Sequence, residues 1–334
     1  MTPVATPISV RAITWDAALE ETLSRAVDAA FPTPRSVLSR TPSSDAALAS
    51  TPVSVHSVHR RTLNLRIDDE LIALVSPELD DAPATVRVPV PDWTAFDVRP
   101  GDPALIGEDG LRIETTHGPI AILLSAAEPW TPSVSCLCGL SADRLLGAEE
   151  RIAAVPAPAE QTAFGRIAAG MLAARIDGLG EALRDRDPDG ITAAATLLLG
   201  LGEGLTPSGD DVLTGLSFLA AQPGMRLRTA LEPLSAAIED GSERTTLLST
   251  VTARHALRAR ARQSLHDLVH AIGDDDVAAI DEAAARIAEI GHTSGTDILT
   301  GVRLALRTEA ALRAASPDVP TAPTPGSDEK GAGR

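Results

Sequence analysis

The chain has 334 residues, enough for one large domain or two modest ones. Its hydrophobic fraction of 44% supports a core, but aromatics reach only 2% and tyrosine is absent, so Ala, Leu, Val and Ile must fill it, which favours close helix packing over a large β-sandwich. A net charge of −17 and a pI near 4.8 exclude nucleic acid as a partner, because such a field repels phosphate backbones, whereas a small anion in a locally positive pocket is compatible with it.

The first ten residues lack a basic segment followed by an apolar one, so no signal peptide is expected. No apolar run approaches the roughly 18 residues that a membrane span needs, so no membrane is expected as a partner. The two cysteines, Cys136 and Cys138, stand one residue apart. That spacing is too short for an ordinary disulfide and offers no zinc framework, so they read as two small residues near a strand end. Low cysteine use fits a cytoplasmic location.

In chain order, residues 1–50 read as a Thr-, Pro- and Ser-rich extension that is partly helical, with a helix from Asp16 to Ala30 and a loose linker from Pro32 to Pro52. Residues 51–130 read as β-rich. Val53 and Val55, then Leu63, Leu65 and Ile67, alternate with polar residues at the period of a half-buried strand. A turn at Asp68–Glu70 leads to a partner strand at Leu71–Val75, Val86, Val88 and Val90 alternate again, and a hairpin turns at Glu108–Gly110. With Ile120–Leu124 this gives about six short strands. Residues 131–157 read as a linker. Residues 158–314 read as helical: Gln161–Leu183, Asp189–Leu199, Leu231–Glu239, one long helix over Thr245–Ile272, and Asp276–Ile290 stopped by Gly291. Residues 315–334 carry the composition of a disordered tail. The fold class expected is α+β, with a small N-terminal β-sheet or barrel-like domain followed by a mainly α-helical C-terminal domain containing an internal pseudo-repeat.

The repeat is the most informative feature. Thr206-Pro-Ser-Gly-Asp-Asp-Val-Leu-Thr-Gly215 and His292-Thr-Ser-Gly-Thr-Asp-Ile-Leu-Thr-Gly301 match at six of ten positions, 86 residues apart. In each, a Ser stands three residues before an Asp, Ser208 before Asp211 and Ser294 before Asp297, which is the spacing of a capping box with Asp in place of the usual Glu. The helix after each is strongly apolar, so it should be buried, and Gly215 and Gly301 are where two such helices could cross tightly. Capping and packing alone would account for these features. They do not account for the glycines that lead into the first copy, Gly200, Gly202 and Gly204, nor for His292 beside the second. A glycine-rich loop running into a helix N-terminus presents N–H groups and the positive end of the helix dipole, an anion site. Gly202, Gly204, Thr206, Ser208, Gly209, Ser294 and Gly295 are therefore the candidate anion-binding set, with Asp210 beside them. Asp211, Asp297 and His292 are the candidates for proton transfer. The acidic residues compete with an anion for the same N–H groups, so they either face away or hold a cation such as Mg²⁺.

Three further features stand out. His255 lies in a helix with Arg254, Arg258 and Arg262 spaced by four, which puts the arginines on one face, either a solvated face or a cationic strip. Thr245-Thr246 opens the same helix and could cap it or touch a ligand. In Val55-His-Ser-Val-His-Arg-Arg-Thr-Leu-Asn-Leu65, Arg61 and Asn64 are candidate substrate contacts on what otherwise reads as a solvated edge strand.

The run Gly202–Gly215 together with Gly291–Gly301 resembles the bacterial family named for the AllH subunit of oxamate carbamoyltransferase, and Val55–Leu65 with Leu74–Leu79 resembles its N-terminal half. The resemblance spans roughly residues 50–310. It implies a subunit that works with two other carbamoyltransferase subunits in purine and allantoin nitrogen catabolism. The complex would move a carbamoyl group between oxalurate and phosphate to give oxamate and carbamoyl phosphate. Both reactants are small anions, and the transfer builds charge on a carbonyl oxygen that positioned donors can stabilise. Two alternatives stand beside it. One is a metal-dependent hydrolase or transferase with Mg²⁺ or Mn²⁺ on Asp210, Asp211 and Asp297. The other is a non-catalytic assembly subunit in which the repeat only packs helices.

Overall fold

A computed structural model describes residues 8–30, 53–107, 109–156 and 163–315. The linker expected over Pro32–Pro52 and the tail after Ala315 lie outside the described residues. The α+β arrangement holds: ten strands form one sheet, and a helical region follows it.

The strands are β1 (Ile8–Arg11), β2 (Thr14–Asp16), β3 (Val53–Val58), β4 (Thr62–Ile67), β5 (Glu70–Val75), β6 (Thr85–Arg87), β7 (Pro103–Gly107), β8 (Gly110–Ile113), β9 (Ile120–Leu123) and β10 (Glu128–Trp130). Their order is β1-β9-β8-β7-β3-β4-β5-β6-β2-β10. The six strands expected from alternation are there. The additions come mainly from the segment read as an extension, where β1 and β2 precede the helix α1 (Leu19–Ala30) that was expected to begin at Asp16. Only Ala12 and Ile13 separate β1 from β2, yet β1 pairs with β9 at one end of the sheet and β2 with β6 and β10 at the other. Two residues span only about 7 Å, so the sheet must curl until its ends approach. The enclosed core is aliphatic around the fully buried Trp93.

The helices are α2 (Ala142–Ala153), α3 (Ala163–Asp185), α4 (Pro188–Leu198), α5 (Ser208–Ala220), α6 (Leu231–Asp240), α7 (Leu247–Ala256), α8 (Gln263–Asp274), α9 (Val277–Ala288) and α10 (Ser294–Ala315). They enclose a second, separate hydrophobic core. Helix α2 corrects the reading of residues 131–157 as linker: Ser141 caps it by accepting from the Arg144 N–H, and Leu145, Ala148 and Ile152 bury one face. The repeat extends to helix pairs. Helix α4 packs on α3 as α9 packs on α8, and α5 carries α7 as α10 carries α2.

The single helix expected over Thr245–Ile272 is two. The chain leaves α7 at Ala256, takes a left-handed backbone at Ala259 (φ 58°) and restarts at Gln263. The break exists for the sheet. Arg260 pairs with buried Asp16 at 2.5 Å, Arg262 with Asp80 at 3.3 Å, and Trp130 donates to Gln263 at 2.7 Å. Asp80, in the loop between β5 and β6, also accepts the Ser264 N–H at 3.0 Å, so a residue of the sheet domain caps α8 in place of a local one. The strip of Arg254, Arg258 and Arg262 is thereby dissolved: Arg254 pairs with Glu239 on α6, Arg258 lies past the end of α7, and Arg262 serves the junction.

The two cysteines form a disulfide, against the expectation from their spacing. The chain turns about Leu137 and brings their Cα atoms to 5.4 Å, inside the ordinary range. Leu137 forces that turn because its side chain is fully buried in the helical core. Its N–H donates to the Pro223 carbonyl at 2.9 Å, and its carbonyl accepts from Arg313 at 3.0 Å.

Candidate functional site

The two motif copies meet where α5 crosses α10. A Cβ on Gly215 would overlap the carbonyl oxygen of Ile298, and a Cβ on Gly301 would overlap that of Val212. Ile298 is the repeat partner of Val212 and Gly301 that of Gly215, so the contact is reciprocal, as expected for a pseudo-two-fold axis through the crossing. Nearly two turns earlier, Gly209 presses on the Leu198 carbonyl and Gly295 on the Ile287 carbonyl, so each motif glycine seats its helix on the end of the helix before it. These contacts require the glycines at Gly209, Gly215, Gly295 and Gly301 whatever else the motif does.

In the first copy the capping box does not form. Helix α5 begins at Ser208 with Pro207 at the cap position and no side-chain cap bond. The N–H groups of Asp210 and Asp211 donate to the Pro207 carbonyl at 2.9 and 3.2 Å, and that of Gly209 to Leu201 at 2.8 Å. In the second copy the Gly295 N–H donates to Ile290 and the Asp297 N–H to Thr293, both at 3.0 Å. Most first-turn donors offered to an anion by the sequence reading are therefore taken by the chain itself. The local cap lost to a tertiary one. Thr206 donates to Asp211 at 3.0 Å, the Thr206 and Ser294 hydroxyls lie 2.9 Å apart, and Ser294 also bonds Asp211. A Thr and an Asp of the first copy thus close on the Ser of the second.

Asp211 sits at the centre of this cluster and is buried. Burial raises its pKa from 3.8 to about 7; the Ser294 and Thr206 hydroxyls pull it down, while the charges of Asp297 and Asp210 push it further up. A carboxyl that gains and loses its proton near neutrality, held between two hydroxyls, can act as a general acid or base. Asp297 is half-buried and close enough for its charge to be felt.

Asp210 has a different task. It is buried, accepts the Gly200 N–H at 2.9 Å and bonds the Thr245 hydroxyl, so it ties the glycine loop to the start of α7. Gly202 (φ 121°) takes a backbone open mainly to glycine, and a Cβ there would lie 2.6 Å from the Ser208 nitrogen. Gly202 and Gly204 are exposed, Ser208 is half-buried at the front of α5, and His292 is exposed in the turn before α10.

Three candidates lie elsewhere. His255 stands nine residues along α7 from Thr246, about 13 Å at helical rise, among Arg260, Arg258 and Asp16 at the sheet junction. Burial first, then Arg260, lowers its pKa to about 4. Asn64 donates to Ser57 at 2.9 Å within the sheet, where a bulge between Val55 and Ser57 brings them opposite each other. The Arg61 carbonyl accepts from Ser76. These partners belong to the sheet and not to α5 or α10. Thr245, noted in the sequence only as a cap or ligand contact, is instead the tie that fixes Asp210, which adjacency in sequence could not reveal.

Two family models match the chain. Residues 198–306 match the model described as oxamate carbamoyltransferase subunit AllH, and residues 33–129 match the AllH family N-terminal domain. The chain belongs to the AllH family. The first match begins at Leu198, on whose carbonyl Gly209 rests, and it takes in both motif copies and the crossing between them. The second covers the sheet from β3 onward. The family description makes the chain a subunit of a larger assembly. No solved structure matches the chain. No helix among the described residues is long and apolar enough to cross a membrane. Nor do the described residues bring three or more His, Cys, Asp or Glu side chains together as a metal would need. That agrees with the geometry of Asp210, whose two oxygens are engaged away from Asp211.

Proposed function

We propose that this chain is a carbamoyltransferase subunit that handles small anions (oxalurate or oxamate, phosphate and carbamoyl phosphate) in cytoplasmic purine and allantoin nitrogen catabolism, together with two other subunits. In the phosphate-consuming direction a phosphate oxygen attacks the carbamoyl carbon of oxalurate. The C–O bond forms, the C–N bond breaks, and the departing oxamate nitrogen takes a proton. Asp211 supplies that proton as general acid and recovers it in the reverse direction. Thr206 and Ser294 hold its carboxyl in place. Burial keeps it protonated near neutral pH, with the charges of Asp297 and Asp210 adding to the effect, and His292 in the adjacent turn contacts the amide end of the substrate.

The observation that carries this reading is the Thr206–Asp211–Ser294 cluster, in which both copies of the motif converge on one buried carboxyl with a pKa of about 7. Packing of α5 on α10 needs the glycines but gives no reason to bury a carboxyl there, where desolvation is costly. The reading with Mg²⁺ or Mn²⁺ on three aspartates is not favoured, because Asp210 is committed to Gly200 and Thr245. The test is co-expression with the two other subunits and an assay for carbamoyl phosphate formed from oxalurate and phosphate. Asp211→Asn should lower kcat at least about 100-fold while the subunits still co-purify. Unchanged turnover in that variant would leave the non-catalytic assembly role as the better account.

A further inference from the structure

We infer that Arg244 is the cation that binds the anionic end of the substrate beside the first motif copy, an inference that rests on the carbamoyl-transfer reading. Asp210, Asp211 and Asp297 make the surroundings of the cluster acidic, and the charged groups that act on Asp211 are themselves carboxylates. A phosphate or carboxylate cannot approach such a cluster without a compensating positive charge.

Most arginines of the helical region are committed elsewhere. Arg254 pairs with Glu239, Arg303 and Arg307 with Glu149, Arg313 with Glu309, Arg151 with Asp281, and Arg286 with Asp267. Arg244 is exposed and makes no ion pair among the described residues.

Its backbone, in contrast, is fixed against the motif loop. The Arg244 carbonyl lies where a Cβ of Gly200 would be, and Gly200 has a φ of 70°. The next residue, Thr245, bonds Asp210 through its hydroxyl. The one after that, Thr246, donates to the Leu205 carbonyl at 2.9 Å and also caps α7 by accepting from Ser249 at 3.1 Å. Arg244 thus lies against Gly200, and the two residues after it are hydrogen-bonded to Asp210 in α5 and to Leu205 in the loop that leads into Ser208. A long guanidinium side chain rises from Arg244, and no partner among the described residues holds it. Asp210 does not recruit it, since both of its oxygens are occupied. A rigid base under a planar fork of N–H donors is the arrangement that suits paired oxyanion contacts.

The repeat marks the same place. Five residues separate Gly202 from Ser208, but only two separate Gly291 from Ser294. The added residues are Glu203, Gly204 and Leu205, and the last of them accepts from Thr246 through its carbonyl. The longer loop and its bond to Thr246 are therefore features of one copy only, and the symmetric packing of α5 on α10 does not call for them.

The experiment uses the complete complex, varying phosphate at saturating oxalurate and then the reverse. Arg244→Ala should raise one KM about 10- to 100-fold, the loss expected for a charge-assisted contact, with kcat changed much less and the melting temperature unchanged. Arg244→Lys should restore part of the loss. The KM that moves tells which anion, phosphate or the oxalurate carboxylate, Arg244 holds. If neither moves by more than twofold, the inference is overturned while the functional reading stands. If the wild-type complex forms no carbamoyl phosphate, the functional reading falls, and calorimetric titration of the complex with phosphate and with oxamate decides on Arg244: equal binding by wild type and Arg244→Ala, or none by either, overturns it.

Discussion

The two motif copies, α4–turn–α5 and α9–turn–α10, are alike where helices pack and unlike where the chain meets solvent. Both seat a glycine on the carbonyl of the preceding helix, and both put a second glycine against the other copy's backbone. Their turns differ. The first is longer and fastened to α7 through Asp210, Thr245 and Thr246, whereas the second is short and exposes His292. Their acids differ as well, since Asp211 is buried and Asp297 only half-buried. The resemblance thus belongs to architecture, and the candidate chemistry sits in the departures from it.

The largest effects should come from the shared part. Gly215→Ala and Gly301→Ala each force a methyl group into the opposing backbone, so each should lower unfolding free energy by about 3 kcal/mol or more, and by similar amounts. Denaturant titration measures this, and a tolerated substitution at either site would break the symmetry argued above. Next comes the acid pair. Asp211→Asn should cost more turnover than Asp297→Asn, at least about 100-fold against about 10-fold, if the proton resides on the buried partner. Equal losses would instead mean that the two titrate as one unit.

A deletion sharpens the comparison. Removing Glu203, Gly204 and Leu205 gives the first turn the length of the second. It should lower stability by only about 1 kcal/mol, for the lost Thr246–Leu205 bond, while turnover by the complex falls about 10-fold or more. Full activity in the shortened chain would show that the added residues are ornamental. The smallest effect is expected at His292, where Ala should change stability by less than about 0.5 kcal/mol, because the side chain is exposed.

The pH dependence separates the motif from the sheet junction. Raising the Asp211 pKa from 3.8 to about 7 means that the folded chain holds the proton more tightly than the unfolded one. Its contribution to stability is full below about pH 4 and is lost as pH rises through about 7. His255 has the opposite sign. Its pKa falls from 6.5 to about 4, so its contribution is full above pH 6.5 and is lost as pH falls towards 4. Thermal melts across pH 4 to 8 should therefore flatten on the neutral side for Asp211→Asn and on the acid side for His255→Gln.

Much of the fold was legible because it is written in local periods. Alternation at Leu63, Leu65 and Ile67 marked β4, and Asp276 with Gly291 bracketed α9 within a residue or two. The repeat itself, and the tight crossing at Gly215 and Gly301, could be read from identity and residue size. Non-local partners were not legible. Strands β1 and β2 carry little alternation of their own and are strands because β9 and β6 pair with them. The disulfide follows from where Leu137 is buried, and the break between α7 and α8 follows from Asp16 in β2 and Asp80 in the loop between β5 and β6.

The amino-acid sequence by itself determined that this protein has two look-alike Ser-Gly-x-Asp helices, a sheet before them and an acidic surface, because composition, period and repetition are properties of the chain. Only the tertiary structure decided what each polar residue of the motif does. A Ser and an Asp three apart could cap a helix locally. In the folded chain the hydroxyls of Thr206 and Ser294 come within 2.9 Å across 88 positions of sequence, and Asp211 bonds to them instead. Asp210, next to it, turns to Gly200 and Thr245. Adjacent, chemically identical side chains receive different partners because they leave the helix in different directions, and those directions have meaning only once the other helices are in place.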